Sequence, residues 1–70
     1  MKRQLVVSSN LRSVGYDESS RILEIEFRNG GVYRYRDVPL EVHQELMNSP
    51  SLGKYFLANI RDIYQYDKAA

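Results

Sequence analysis

The sequence contains no cysteine and no tryptophan, and it has only two prolines and four glycines among its 70 residues. Without cysteine, a disulfide framework and any site that needs a thiolate are excluded. The longest apolar run is Leu5-Val6-Val7. It is far shorter than the roughly 20 residues of a transmembrane helix and shorter than the roughly 7–15 apolar residues in the core of a signal peptide. We therefore expect a cytoplasmic protein that packing alone stabilises, with no membrane association.

A strong charge of one sign is also missing, because ten Lys and Arg residues face nine Asp and Glu residues, for a net charge of +1. Net charge alone therefore does not indicate a nucleic-acid partner. A chain of this length buries only about 60% of its unfolded surface. That is enough for one domain with one core, but a deep catalytic cleft is not expected.

The clearest pattern is strict alternation of apolar and charged residues in Leu-Glu-Ile-Glu-Phe at residues 23–27 and again in Tyr-Arg-Tyr at residues 33–35. A period of two predicts two half-buried antiparallel strands. A two-residue loop at Asn29-Gly30 would place Arg34 against Ile25, in the apolar row. A three-residue loop of residues 29–31 pairs aromatic with apolar residues, and acidic with basic ones, and is therefore favoured. Its predicted pairs are Phe27 with Tyr33, Ile25 with Tyr35, Glu26 with Arg34 and Glu24 with Arg36.

Two helices are expected after these strands. Pro39 opens a short helix that ends near Asn48, and residues 49–51 then break the chain and restart it with Ser49 as cap and Pro50 in the first turn. Apolar residues recur at helical spacing from Leu52, so the second helix is predicted to run to about Tyr64. Residues 11–16 form a less regular strand. Placing Val14 and Tyr16 inward requires a bulge near residues 13–15.

Together these elements predict an α+β fold, with an antiparallel three-stranded β-meander followed by two helices packed on one face of the sheet. Residues 1–8 are expected to be a flexible lead or an edge strand, residues 9–64 the folded domain, and residues 65–70 a fraying tail. The predicted core consists of Val14, Tyr16, Leu23, Ile25, Phe27, Tyr33, Tyr35, Val42, Leu46, Phe56, Ile60 and Ile63.

Five segments in this order resemble the KTSC domain, a family named for the C-terminus of lysyl-tRNA synthetase. They are SNLRSVGYD at residues 9–17, GVYRY at 31–35, VP at 38–39, SLGKYF at 51–56 and IR at 60–61. The resemblance implies a stand-alone bacterial or phage domain, or an appendage of lysyl-tRNA synthetases, that binds RNA. This sequence departs from the family pattern at His43, Ser49 and Leu57, where Tyr, Ala and Asn are usual.

The side chains that suit phosphate contacts in an RNA complex are Arg12, Arg34, Arg36, Lys54 and Arg61. Cross-strand ion pairs with Glu24 and Glu26 are the alternative role for Arg34 and Arg36. Residues 51–54 (Ser-Leu-Gly-Lys) fit either a phosphate-holding turn or an ordinary capped helix start.

Tyr33 and Tyr35 fit a core position better than base stacking, because the favoured register turns them toward the helices. His43 has no sequence motif joining it to a nucleophile or to metal ligands. We therefore predict a non-catalytic module with no cofactor and no metal, which binds structured, tRNA-like RNA weakly through its basic residues. The alternative is a protein-interaction or dimerisation domain that uses a sheet edge or the open charged face.

Overall fold

The computed structural model describes residues 2–70, which form one five-stranded antiparallel sheet and two helices. The strands lie in the order β1-β2-β3-β4-β5, and both helices fall between β4 and β5 in the chain. The α+β class is as predicted, but the sheet has five strands rather than three. Within the described residues no helix is both long and apolar enough to cross a membrane. The elements are β1 (Arg3–Leu5), β2 (Leu11–Asp17), β3 (Ile22–Phe27), β4 (Val32–Tyr35), α1 (Leu40–Asn48), α2 (Leu52–Asn59) and β5 (Tyr66–Lys68).

The two additional strands cover the edges of the predicted meander. β1 pairs with β2, so the segment of residues 1–8 supplies an edge strand, with Met1 outside the described residues. β5 lies where fraying was predicted and pairs with β4, so that prediction is wrong. Backbone bonds fix it there, from Arg36 N–H to the Gln65 carbonyl at 2.8 Å and from Val32 N–H to the Ala70 carbonyl at 3.0 Å. Pairing satisfies backbone groups that would otherwise be unpaired along β4.

The β3–β4 hairpin has the predicted faces but not the predicted register. Ile25 faces Tyr33 rather than Tyr35, and Glu24 faces Arg34 rather than Arg36. The loop does contain three residues, but they are 28–30: Phe27 N–H donates to the Gly31 carbonyl at 2.8 Å. Gly30 supplies the positive φ of +100°, which is the conformation that closes such a loop. The observed partners on β4 therefore lie two residues before the predicted ones, and a shift of two residues leaves every side chain on its predicted face.

A bulge in β2 gives that strand its inward face. The pairing with β3 shifts register between Leu11 and Ser13, so Arg12 is the extra residue. Leu11 and Val14 consequently both enter the core, while Arg12 points to the other side of the sheet. The bulge lies slightly earlier in the chain than the sequence suggested.

The core lies between the inner face of the sheet and the two helices. Leu11 and Val38 belong to it although they were not predicted, whereas Ile63 was predicted and is 62% exposed. The reason is that α2 ends at Asn59 and the chain then turns, with Ile63 N–H bonded to the Ile60 carbonyl at 3.1 Å. The buried cluster is Leu11, Val14, Leu23, Ile25, Tyr35, Val38, Leu46, Phe56 and Ile60.

Two glycines are expected to respond to alanine substitution with opposite signs. Gly30→Ala places a side chain at positive φ and should lower the free energy of unfolding by about 1–2 kcal/mol. Gly53→Ala adds a methyl group inside α2 in ordinary contact with Asn10, 3.4 Å away, and should raise it by about 0.5–1 kcal/mol. Urea unfolding followed by circular dichroism measures both. A loss of stability in both variants would contradict the prediction.

Candidate functional site

The structure divides the five predicted basic residues between two surfaces. Arg12, Arg34 and Arg36 lie on the open face of the sheet, the face away from the helices, where each is near a carboxylate. Lys54 belongs to α2, and Arg61 follows that helix and lines a groove on the opposite side of the sheet. The five residues therefore do not form one continuous contact surface.

Glu24 is the centre of an ion-pair network on the open face. Its side chain is only 7% exposed and accepts hydrogen bonds from Arg34 Nε at 2.7 Å and from Arg3 Nη1 at 2.9 Å. Burial opposes ionisation, but the Arg34 hydrogen bond and the charge of Arg3 outweigh it and lower the pKa of Glu24. Glu24 is thus ionised at neutral pH and orients both arginines.

Arg12 and Arg36 have looser partners. Arg12 Nε is 3.8 Å from Glu26 Oε1, an oxygen that also accepts a 2.8 Å hydrogen bond from Ser13 Oγ. Arg36 Nε is 3.5 Å from Asp67 Oδ2, in the unpredicted strand β5. In each pair the carboxylate meets Nε. Between the described residues, no hydrogen bond engages the terminal Nη atoms of Arg12 or Arg34.

Cations outnumber anions among the groups of this face that form or border its network. The carboxylates are Glu24, Glu26 and Asp67, and Arg3, Arg12, Arg34 and Arg36 are their ion-pair partners. A shallow depression near β1 also brings Lys2 beside them. The open face therefore carries partly exposed, oriented guanidinium groups on a locally positive surface.

The turn at residues 51–54 has the geometry of a capped helix start. Ser51 is the N-cap of α2, and its Oγ accepts the Lys54 N–H at 3.3 Å. The cap is therefore Ser51 rather than Ser49, and the helix begins at Leu52. Because the Ser51 oxygen accepts the hydrogen bond of the Lys54 amide, that amide is not free to bind a phosphate.

Five aromatic rings form a closed cycle on the helix side of the sheet, and they include both predicted tyrosines. Consecutive ring centroids are 5.3–5.6 Å apart. Tyr35 is buried in the core, Tyr33 is half-buried, and Tyr66, which sequence reasoning had assigned to the fraying tail, is exposed. In order around the cycle the members are Phe27, Tyr33, Tyr66, Tyr35 and Phe56.

This cycle is the floor of a groove of about 690 Å³ between α2 and the end of the sheet, which we call the aromatic groove. Arg28, Arg61 and Asp62 are the charged residues that line it. Burial, followed by the neighbouring hydroxyls of Tyr66 and Tyr33, raises the pKa of Tyr35 to about 12, against the opposing charge of Arg61. Its hydroxyl is therefore neutral at physiological pH and can donate a hydrogen bond.

His43, the residue considered for catalysis, stacks on Tyr16 with ring centroids 4.8 Å apart and planes 9° apart. Tyr16 in turn donates its hydroxyl hydrogen to the Val38 carbonyl. No side-chain hydrogen bond engages His43 within residues 2–70, and that part of the chain contains no cluster of three or more metal-ligating residues. The geometry gives His43 a packing role at the edge of the core.

The environment of His43 predicts a pH-dependent stability. Burial lowers the pKa of His43, whereas an unfolded histidine titrates near its ordinary value of about 6.5. Below that value the unfolded chain binds more protons, so the free energy of unfolding should fall as pH decreases from about 7 to about 5. Because this is the one histidine in the sequence, His43→Phe should remove the dependence while keeping a ring on Tyr16. Urea midpoints across this range measure it, and parallel curves for both proteins would refute the assignment.

Comparisons with known proteins give a consistent result. The model of the KTSC domain family matches residues 7–66. An uncharacterised protein of Stutzerimonas stutzeri (strain A1501) is 54% identical over 56 residues, covering 80% of this chain and 79% of that protein. A KTSC domain protein from Yersinia pestis, known from a crystal structure, is 40% identical with a TM-score of 0.96, and the match covers 99% of this chain and 97% of that one.

A lysine–tRNA ligase of Trichormus variabilis (strain ATCC 29413 / PCC 7937) also matches. It is 38% identical over 60 residues, covering 86% of this chain. That match spans only 11% of the ligase, so the similarity concerns one small segment of a much longer enzyme.

Proposed function

This chain belongs to the KTSC domain family, and on that basis we propose that it is a small, non-catalytic module that binds structured RNA. The observation that carries the proposal is the row of arginines on the open face of the sheet. Arg12, Arg34 and Arg36 come from the two strands that flank β3 and from the residue after β4, and in each the atom closest to the paired carboxylate is Nε. The occurrence of a related segment in lysine–tRNA ligases supports a tRNA-like partner.

Phosphate contacts account for the proposed affinity. Arg12 and Arg34 meet their carboxylates through Nε, which leaves both terminal nitrogens for a second acceptor. Arg36 has one terminal nitrogen 3.4 Å from Gln65 Oε1 and keeps the other. Planar donors of this kind suit phosphate oxygens. The side chains of Arg12, Arg34 and Arg36 are each about half exposed, so an RNA backbone can reach them without disrupting the core. The nearby carboxylates reduce the net field, and binding should therefore be weak and sensitive to salt.

The test uses a mixed tRNA pool and isotope-labelled protein. Arg12→Gln and Arg36→Gln each remove one positive charge from a loosely paired, exposed position. Each should reduce the slope of log affinity against log salt by about 1. Lys54→Gln removes the same charge from the helix side and should leave the slope unchanged. Equal effects of all three variants, or no effect of the first two, would overturn the proposed surface.

A second candidate function is self-association or docking of a protein strand at β1. The supporting observation is that Leu5, the last residue of β1, and Val7, two residues later, are both exposed, and that β1 has a partner strand on one side only. Unpaired edges of this kind favour strand addition. Light scattering should then give a mass above that of the monomer, and Leu5→Lys should return it to the monomer. A monomeric mass for the unaltered chain would exclude self-association.

A further inference from the structure

We propose that the aromatic groove is a second binding site, specific for a nucleotide unit, in which a planar heteroaromatic ring lies against Tyr66 and the phosphate lies beside Arg61. The site is on the helix side of the sheet, away from Arg12, Arg34 and Arg36. It does not rest on RNA binding by the open face.

The groove has the size and the exposed apolar surface that a ring requires. Its volume of about 690 Å³ falls within the range of roughly 300–1,000 Å³ that is typical of small-ligand sites. Tyr66 is 52% exposed and Leu57 is 50% exposed, on two elements that both line the groove. Exposed aromatic rings of this kind stack bases without a strong preference for sequence.

The ring cycle holds Tyr66 in position. Its ring meets Tyr33 at 5.6 Å and Tyr35 at 5.5 Å, and the latter two are fixed in β4. While β5 is paired with β4, these two rings therefore support Tyr66 from behind, and its exposed face is already in position when a ligand arrives. Preorganisation of this kind reduces the entropy cost of binding.

The charged and polar rim complements a phosphate and the hydrogen-bonding edge of a base. Arg61 and Arg28 line the groove with one carboxylate, Asp62. Arg28 is fixed by a 2.7 Å bond from its Nε to the Ser8 carbonyl, which leaves its terminal nitrogens for an anion. Tyr35 also lines the groove, and its neutral hydroxyl supplies a hydrogen-bond donor there.

The two parts of the ligand can be tested separately with adenosine 5′-monophosphate, adenosine and ribose 5-phosphate in amide NMR titrations. We expect the nucleotide to shift groove residues with a Kd on the order of millimolar, and each half alone to bind more weakly. Groove shifts with ribose 5-phosphate equal to those with the nucleotide would refute the ring contact. No groove shifts at about 10 mM nucleotide, roughly ten times that Kd, would refute the site.

Matched variants then assign the contacts. Tyr66→Leu keeps an apolar side chain but removes the ring, and should weaken nucleotide binding about tenfold, the scale of one lost stack. Arg61→Gln should weaken it by a similar factor, while Arg12→Gln, on the open face and away from β5, should leave it unchanged. Equal weakening by Arg61→Gln and Arg12→Gln would refute the site.

The source of the nucleotide is resolved with a single-stranded oligoribonucleotide. Stronger groove shifts than with the monophosphate assign the site to an unpaired nucleotide of RNA, and equal shifts assign it to a free nucleotide. The tRNA titrations of the open-face variants report on the other surface, so failure of one proposal is distinguishable from failure of the other.

Discussion

Replacing Phe56 with alanine is expected to unfold most of the protein at 25 °C. Phe56 is 6% exposed. Its ring centroid lies 5.3 Å from that of Phe27 and 5.5 Å from that of Tyr35, so the ring joins α2 to β3 and β4. Removing a buried phenylalanine costs about 3–5 kcal/mol, and a domain of this size rarely has more than about 3–5 kcal/mol in total. Urea unfolding, together with the dispersion of amide NMR signals, measures the loss.

The adjacent residue provides the control for this prediction. Leu57 is in the same helix but half exposed, so Leu57→Ala should change the free energy of unfolding by no more than about 0.5 kcal/mol. Similar stabilities for the two variants would show that the Phe56 ring does not join α2 to the sheet.

Replacing Glu24 with glutamine is expected to have the second largest effect, a loss of about 1–3 kcal/mol. The substitution keeps the shape of a buried side chain but removes the charge that Arg3 and Arg34 share. Both arginines are partly exposed, so water limits the cost. Asp67→Asn is the matched control: its carboxylate is 68% exposed at the looser Arg36 pair, and it should cost less than about 1 kcal/mol.

Acid titration provides a second measurement of what the ionised Glu24 side chain contributes to stability. Because the folded-state pKa of Glu24 is lowered, its contribution to stability is present above the unfolded value near 4.5 and is lost as pH falls through the folded value. The difference between the unaltered protein and Glu24→Gln should therefore narrow as pH decreases from about 5 toward about 2. A constant difference would show that the ion pairs do not stabilise the fold.

Alternation predicted the faces of β3 and β4 because it depends only on which side each residue occupies. It did not predict their register, because a displacement by two residues keeps every face unchanged. Arg34 meets an acidic residue in either alignment, Glu26 as predicted or Glu24 as observed, so charge pairing did not distinguish them. Asn29-Gly30-Gly31 also offers two glycines for the one position with positive φ.

The candidate sites were predictable only in part, for a related reason. Arg12, Arg34 and Arg36 could be placed on the open face from local periodicity and one bulge. The aromatic groove needs Tyr66, whose strand has three residues and no detectable period. It also needs α2 to end at Asn59 rather than near Tyr64 as predicted, which places Arg61 after the helix. Contacts between β4 and β5 join distant parts of the chain, and a single sequence does not contain that information.

The late position of β5 in the chain has a kinetic consequence. β2, β3 and β4 are joined by short turns, whereas both helices lie between β4 and β5 in the chain. A strand of three residues at the edge of a sheet can open without global unfolding. In hydrogen exchange, the amides of Val32 and Arg36, which bond to the β5 segment, should exchange through that opening and faster than amides between β2 and β3. Each opening also removes Tyr66 from the ring cycle, so the lifetime of the closed strand limits the lifetime of the groove.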